Sequence, residues 1–182
     1  MRVFDEPVVR LPDVVVVDPV SVDEWDDVAR LSGLEGLDRE SLSHALNTRA
    51  VARRYAAAAG RDYDALRLVV VHLGSGITVS AHRDGRMVDA TNSRDEGPFS
   101  MDRAGGVPAV RLVRHVLDRG LTAPAAERML FGDGGVHSYL GTRDLRDVLR
   151  RIDAGDDRAR LVFDAMLYQV RKACGAMAAV LD

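Results

Sequence analysis

The chain has 182 residues, of which 47% are hydrophobic and 29% are charged, and its formal net charge at pH 7 is −3. This apolar fraction excludes a disordered chain, and the length suits one domain or a large part of a two-lobed protein. This slightly negative net charge argues against nucleic acid as a partner. The single cysteine, Cys174, excludes an internal disulfide or a zinc site and fits a cytoplasmic location. No apolar run approaches the roughly 20 residues of a membrane span, so no membrane association is expected.

The first third of the chain predicts one strand followed by two helices. The valine run at 14–17 favours a buried strand because β-branched residues pack well on a sheet. A short helix is predicted over 22–31. A longer one is predicted over 39–59, ended by Gly60 in the position where a left-handed residue closes a helix.

The clearest pattern in the chain is a three-stranded antiparallel meander. Leu68–Leu73 is a nearly continuous apolar run, as in a strand that is covered on both faces. Gly74-Ser75-Gly76 ends it, and residues 77–81 then alternate between apolar and polar. Asp84-Gly85 predicts a hairpin turn before a third strand over 86–90.

The remainder of the chain predicts helices over 109–118, 123–130, 142–152 and 156–181. In the last helix the expected buried face consists of Leu161, Ala165, Tyr168 and Ala176. A strand, two helices, a β-meander and further helices together place the chain in the α/β class.

Two features near the meander have the chemistry of an anion site. In Gly74-Ser75-Gly76 the glycines let backbone N–H groups converge on an anion without Cβ atoms in the way. Composition alone favours a plain tight turn here. His72 comes just before this turn, where a core histidine bound to a backbone carbonyl is the alternative.

Three further polar residues have two interpretations each. His44 lies in the second predicted helix and belongs either to a site or to a solvated polar face. Asp18 follows the valine run, where ligands bind in α/β folds, although an Asp before Pro19 also forms turns. Arg103 precedes a Gly-Gly pair and suits a phosphate clamp, or else is a surface arginine paired with Asp102.

Five stretches together resemble the acetate and butyrate kinase family, within the superfamily of sugar kinases and actin-like ATPases, and the butyrate kinases most of all. They cover nearly the whole chain in order: VDPVSVDEWDDVARLSGLEGLDRESLSHALNTRAVARR, VVVHLGSGITVSAHRDGRMVDATNS, EGPFSMDRAGGVP, GGVHSYLGTRD and LVFDAMLYQVRKACGAMAAVL. The resemblance implies a ribonuclease H-like lobe that is incomplete at both ends. Residues 1–66 would be the remainder of an N-terminal lobe and residues 67–182 a partial C-terminal lobe.

The resemblance also implies a reaction: transfer of the γ-phosphoryl group of ATP, with Mg²⁺, to a short-chain carboxylate such as butyrate. His72, Gly74, Ser75 and Gly76 correspond to the hairpin that contacts the nucleotide phosphates, with Ser75 standing where the family usually has Gly or Asn. Arg103 and His44 correspond to the residues that stabilise the transferring phosphoryl group. Asp18 corresponds to the catalytic aspartate near the magnesium ion and the phosphoryl position.

The resemblance further implies that the N-terminal phosphate loop and the C-terminal adenosine loop of a full member are missing. A fragment of a kinase is therefore expected, and the exposed strand edges left behind favour a homo-oligomer. The alternative is an inactive remnant that only binds phosphate or another subunit. Acetate, propionate and branched-chain fatty acids remain open as substrates.

Overall fold

The sheet has the strand order that the sequence predicts. In the structure, a computed structural model that describes residues 17–181, it consists of β1 (Leu68–Leu73), β2 (Ile77–Arg83) and β3 (Arg86–Ala90), paired antiparallel in the order β1-β2-β3. Asp84 and Gly85 have φ of 53° and 72°, as a two-residue hairpin turn with positive φ at both central positions requires. The meander is therefore confirmed, with β2 two residues longer than predicted.

The described residues also form seven α-helices. They are α1 (Asp27–Arg30), α2 (Ala45–Ala58), α3 (Ala109–Asp118), α4 (Ala123–Leu130), α5 (Gly135–Leu140), α6 (Leu145–Asp153) and α7 (Asp157–Val180). The bounds of α3 and α4 are as predicted, whereas α1 is shorter and the short α5 was not predicted. The strand predicted at 14–17 lies outside the described residues except for Val17, which is in no regular element.

The alternation along β2 gives the sheet an apolar face and a polar face. Ile77, Val79 and Ala81 are buried in the main core, to which α5, α6 and α7 contribute Val136, Val148, Ile152, Ala159, Val162, Met166 and Met177. The residues between them, Thr78, Ser80 and His82, are also fully buried but lie on the opposite face. Because successive side chains of a strand point to opposite faces, Thr78 faces the beginning of α2.

Helix α2 begins six residues later than the sequence predicts, and His44 is its N-cap residue. The preceding residues form tertiary hydrogen bonds instead of a helical turn. Arg39 donates to Glu96 over 2.8 Å, and the Ser41 hydroxyl donates to the Val22 carbonyl over 2.6 Å. Helical periodicity contains no information about these partners, which lie far away along the chain.

The predicted buried face of α7 is wrong except at Ala165, which is partly buried against the core. Leu161 and Tyr168 are 68% and 60% exposed, whereas Val162, Met166 and Met177 are in the core. The helix has two apolar stripes, and periodicity alone does not determine which of them packs against the sheet.

None of the helices that the structure describes within residues 17–181 is both long and apolar enough to cross a lipid bilayer.

Candidate functional site

The glycine turn between β1 and β2 is fixed from one side and open on the other. The Gly74 amide donates to the Gly76 carbonyl over 3.1 Å, and the Ser100 hydroxyl donates to the Ser75 carbonyl. Gly74 and Ser75 are exposed, whereas Gly76 is buried. The backbone of the turn is thus held in place while part of it remains accessible, as a site that binds anions through N–H groups requires.

Two side chains from distant parts of the chain meet over Gly76. A methyl group placed on its α-carbon would lie 2.5 Å from Nη1 of Arg103 and 3.1 Å from Cε1 of His44. The first of these distances is too short for any side-chain carbon. Glycine at this position therefore lets the guanidinium and the imidazole approach the backbone of the turn together.

Arg103 reaches this point from a tight loop. The Ser100 amide donates to the Arg103 carbonyl over 3.0 Å, and the guanidinium stacks 4.3 Å from the centre of the Phe131 ring. Nη1 of Arg103 donates to the carbonyl and hydroxyl oxygens of Ser93 over 3.1 and 3.0 Å. Within residues 17–181, Arg103 forms no ion pair with Asp102 or any other carboxylate. Burial lowers the pKa of Arg103, but a guanidinium remains charged at neutral pH.

His44 and His72 form a stacked pair beside the turn. Their ring centres are 3.8 Å apart and their planes differ by 6°. Nδ1 of His44 lies 2.8 Å from Oγ1 of Thr78, and Nδ1 of His72 lies 3.1 Å from Oδ1 of Asn47. Each imidazole is therefore held by one hydrogen bond and by the other ring.

The electrostatic surroundings keep His44 neutral at pH 7. Burial first, and then the proximity of His72 and Arg103, lowers the pKa of His44 to about 4. Burial also lowers the pKa of His72. Arg103 is consequently the permanent positive charge at the turn, and His44 has one N–H group to donate.

We expect an NMR titration of the folded chain to give a midpoint near pH 4 for His44, identified by comparison with His44→Gln. The unfolded chain binds this proton below its ordinary pKa of 6.5 and the folded chain only below about 4. The free energy of unfolding therefore decreases as the pH falls between these values. His72→Asn should raise the midpoint by removing a neighbour that disfavours the charge. A midpoint near 6.5 in the folded wild type would contradict this account.

Asp18 shares a shallow hollow of about 330 Å³ with His44, and this hollow also contacts Val20 and Leu46. Oδ1 of Asp18 accepts a hydrogen bond from Nη1 of Arg49 over 2.7 Å, and the same Nη1 lies 3.2 Å from Oε1 of Glu24. The two carboxylates share one guanidinium, so the group has a net negative charge.

The carboxylate of Asp18 in this hollow fits a hydrated Mg²⁺ ion, which needs few protein ligands. Within the described part of the chain no three His, Cys, Asp or Glu residues converge as a metal cage. Mg²⁺ is usually held by one or two carboxylates, several waters and the phosphates of a substrate. Asp18 is the residue of the hollow that would hold it.

A larger cleft of about 890 Å³ adjoins the glycine turn, and the sequence did not reveal it. Apolar and polar side chains both line it. The apolar residues are Leu73, Ile77, Met101, Leu145, Phe163, Met166 and Leu167, and the polar ones are Ser75, Asp102, Thr142, Arg143, Asp144 and Arg146. Its volume lies within the range of small-molecule sites. Gly141, with φ of 73°, ends α5 at this cleft. The polar residues that follow it, Thr142 to Asp144, are the feature of the sequence from which the cleft was open to prediction.

The structure thus brings together His44, His72, Arg103 and the turn at 74–76, and it places Asp18 in the same hollow as His44. Sequence reasoning assigned no separate role to the partners of these residues. They are Thr78, Asn47, Ser93, Ser100 and Arg49.

Comparisons with known proteins agree on one family. The model of the acetokinase family matches residues 39–182. The chain is 46% identical over 168 residues to the probable butyrate kinase 2 of Caldanaerobacter subterraneus subsp. tengcongensis, covering 92% of this chain and 48% of the relative. It is 45% identical over 167 residues to butyrate kinase 1 of Clostridium acetobutylicum, covering 91% of this chain and 47% of the relative. The chain therefore spans about half the length of these curated relatives.

Solved structures show the same fold. The acetate kinase of Porphyromonas gingivalis superimposes with a TM-score of 0.81 at 26% identity, covering 87% of this chain and 42% of that one. A propionate kinase of Francisella tularensis gives a TM-score of 0.80 at 18% identity, covering 87% and 43%. The second likeness concerns the fold alone.

Proposed function

The chain belongs to the acetokinase family, and from this premise we propose that it is part of a phosphotransferase that moves the γ-phosphoryl group of ATP to a short-chain carboxylate. The observation that carries the proposal is the convergence of Arg103 and His44 on the point above Gly76. A cation, a neutral N–H donor and a glycine backbone within a few ångströms suit a phosphoryl group. A plain tight turn does not require any of them.

The reaction needs charge stabilisation more than proton transfer. A carboxylate is ionised at pH 7, so the nucleophile needs no general base. The transferring phosphoryl group has charge on its three equatorial oxygens, and fixed donors stabilise it. In this proposal Arg103 and the N–H of His44 bind those oxygens, while the amides of Ser75 and Gly76 hold the nucleotide phosphates and the Gly74 amide closes the turn. His72 supports His44 by stacking.

The cleft next to the turn is proposed to receive the nucleoside of ATP. It begins at Gly74 and Ser75, so phosphates bound at the turn would continue directly into it. Its apolar side chains suit a base, and its polar side chains offer hydrogen bonds. Mg²⁺ held by Asp18 would neutralise phosphate oxygens.

Butyrate is the proposed substrate because the relatives at 45–46% identity are named butyrate kinases. Acetate, propionate and branched-chain acids are its competitors. We also propose that the protein is a cytoplasmic homo-oligomer, and that residues 1–66 and 67–182 belong to different lobes. An inactive remnant that binds phosphate or a subunit is the second candidate, favoured by the half-length match to the relatives.

The test compares the 182-residue chain with a chimera, in which the chain replaces the matching segment of the butyrate kinase 1 of C. acetobutylicum. Acyl phosphate formed from ATP and butyrate is trapped with hydroxylamine. We expect product from the chimera and none from the chain alone, because the chain spans about half of the relative. A folded chimera without turnover would support the inactive remnant. Turnover by the chain alone would contradict the expectation that the reaction needs segments outside the matched half of the relative.

A further inference from the structure

The side chain that contacts Nδ1 of His44 is the hydroxyl of Thr78, to which no comparison assigns a role. Thr78 is fully buried on the polar face of β2, and its hydroxyl lies 2.8 Å from Nδ1 of His44. Among residues 17–181, this is the one hydrogen bond of that hydroxyl. Stacking on His72 fixes the plane of the imidazole, so the hydrogen bond fixes its remaining orientation.

A neutral imidazole has a single N–H, and its position determines what an incoming anion meets. If the proton is on Nε2, His44 donates to a phosphoryl oxygen. If it is on Nδ1, the lone pair of Nε2 faces that oxygen and repels it. Because His44 is neutral at pH 7, the two tautomers are real alternatives for this site.

The hydrogen bonds available to Thr78 favour the tautomer of His44 that carries its proton on Nε2. If His44 donated from Nδ1, the hydroxyl proton of Thr78 would be buried with no acceptor in the described residues. A buried donor without a partner costs roughly 1–3 kcal/mol. If Thr78 donates to Nδ1, its proton is satisfied and Nε2 of His44 holds the ring proton.

We propose that Thr78 is a positioning residue, which donates to Nδ1 of His44 and thereby makes Nε2 the N–H donor of the site. The consequence for phosphoryl transfer rests on the function proposed above. The tautomer itself does not, because it exists without substrate.

The tautomer is read from two-bond ¹H–¹⁵N spectra of the ¹⁵N-labelled chain at pH 7, with His44 assigned through His44→Gln. Wild type and Thr78→Ser are expected to show a protonated Nε2 and an unprotonated Nδ1. In Thr78→Val, which keeps the shape and removes the hydroxyl, the Nδ1–H form should become populated. A wild-type spectrum with the proton on Nδ1 would overturn the proposal, even if Thr78→Val failed to fold.

In the chimera, Thr78→Val should lower kcat by about 10- to 100-fold with little change in KM for ATP. Losses of this size are typical when the hydrogen-bond partner that orients a metal-binding histidine is removed from an enzyme. Thr78→Ser should restore most of the loss. If the Thr78→Val spectrum changes but kcat does not, the catalytic part of the inference is wrong. A chimera that is inactive with Thr78 intact contradicts the proposed function and leaves the spectral result standing.

Discussion

Arg103→Ala in the chimera is expected to reduce kcat by about 10²–10³-fold, the range found when a fixed donor to a transition-state oxyanion is removed. Arg103 is the permanent cation above Gly76, and no described carboxylate neutralises it by an ion pair. The hydrogen bonds to Ser93 and the stacking on Phe131 fix its position before substrate arrives. The measurement is the rate of hydroxamate formation from ATP and butyrate.

Arg128→Ala is the matched control, since this side chain is 79% exposed and pairs with Asp133 at the surface. Its kcat should stay within a few-fold of the parent. Circular dichroism and thermal unfolding check that Arg103→Ala still folds. An Arg103→Ala chimera that keeps its fold and most of its turnover would show that the guanidinium does not act on the phosphoryl group.

Gly76→Ala is expected to lower kcat by about 100-fold, because displacement of catalytic groups by roughly 1 Å has effects of this size. The added methyl would lie 2.5 Å from Nη1 of Arg103 and 3.1 Å from Cε1 of His44, so both groups must move. The guanidinium is the end of a flexible side chain and is able to shift. The fold should therefore persist while the geometry of the site is lost.

Gly33→Ala provides the control, because a methyl group there meets no atom within 4 Å. It should leave both turnover and unfolding temperature nearly unchanged. If Gly76→Ala were as active as Gly33→Ala, the convergence of His44 and Arg103 would have no catalytic meaning.

The parts of the fold that follow from local physics were predictable. The meander was found because alternation, a continuous apolar run and two turn sequences all indicate the same three strands. The bounds of α3 and α4 follow from turn residues at their ends. The start of α2 was not predictable, since Arg39 and Ser41 use tertiary partners that no local pattern reveals.

The site was less accessible to residue-by-residue reasoning. Taken singly, His44, Arg103 and the glycine turn each had an ordinary explanation, and only the family resemblance connected them. Their convergence is a tertiary fact that depends on where α2 begins and on the loop that holds Arg103. Thr78 was overlooked because a threonine in an alternating strand is typical of any half-polar face. The catalytic roles of His44, Arg103, the glycine turn and Thr78 remain predictions.

The most direct test of the account is an NMR titration of the ¹⁵N-labelled chain with a non-hydrolysable ATP analogue and Mg²⁺. We expect the signals of the amides of residues 74–76, of Nε of Arg103 and of the ring of His44 to shift along one saturation curve. Saturable binding that leaves these signals unchanged would contradict the account, because the nucleotide phosphates would then lie elsewhere.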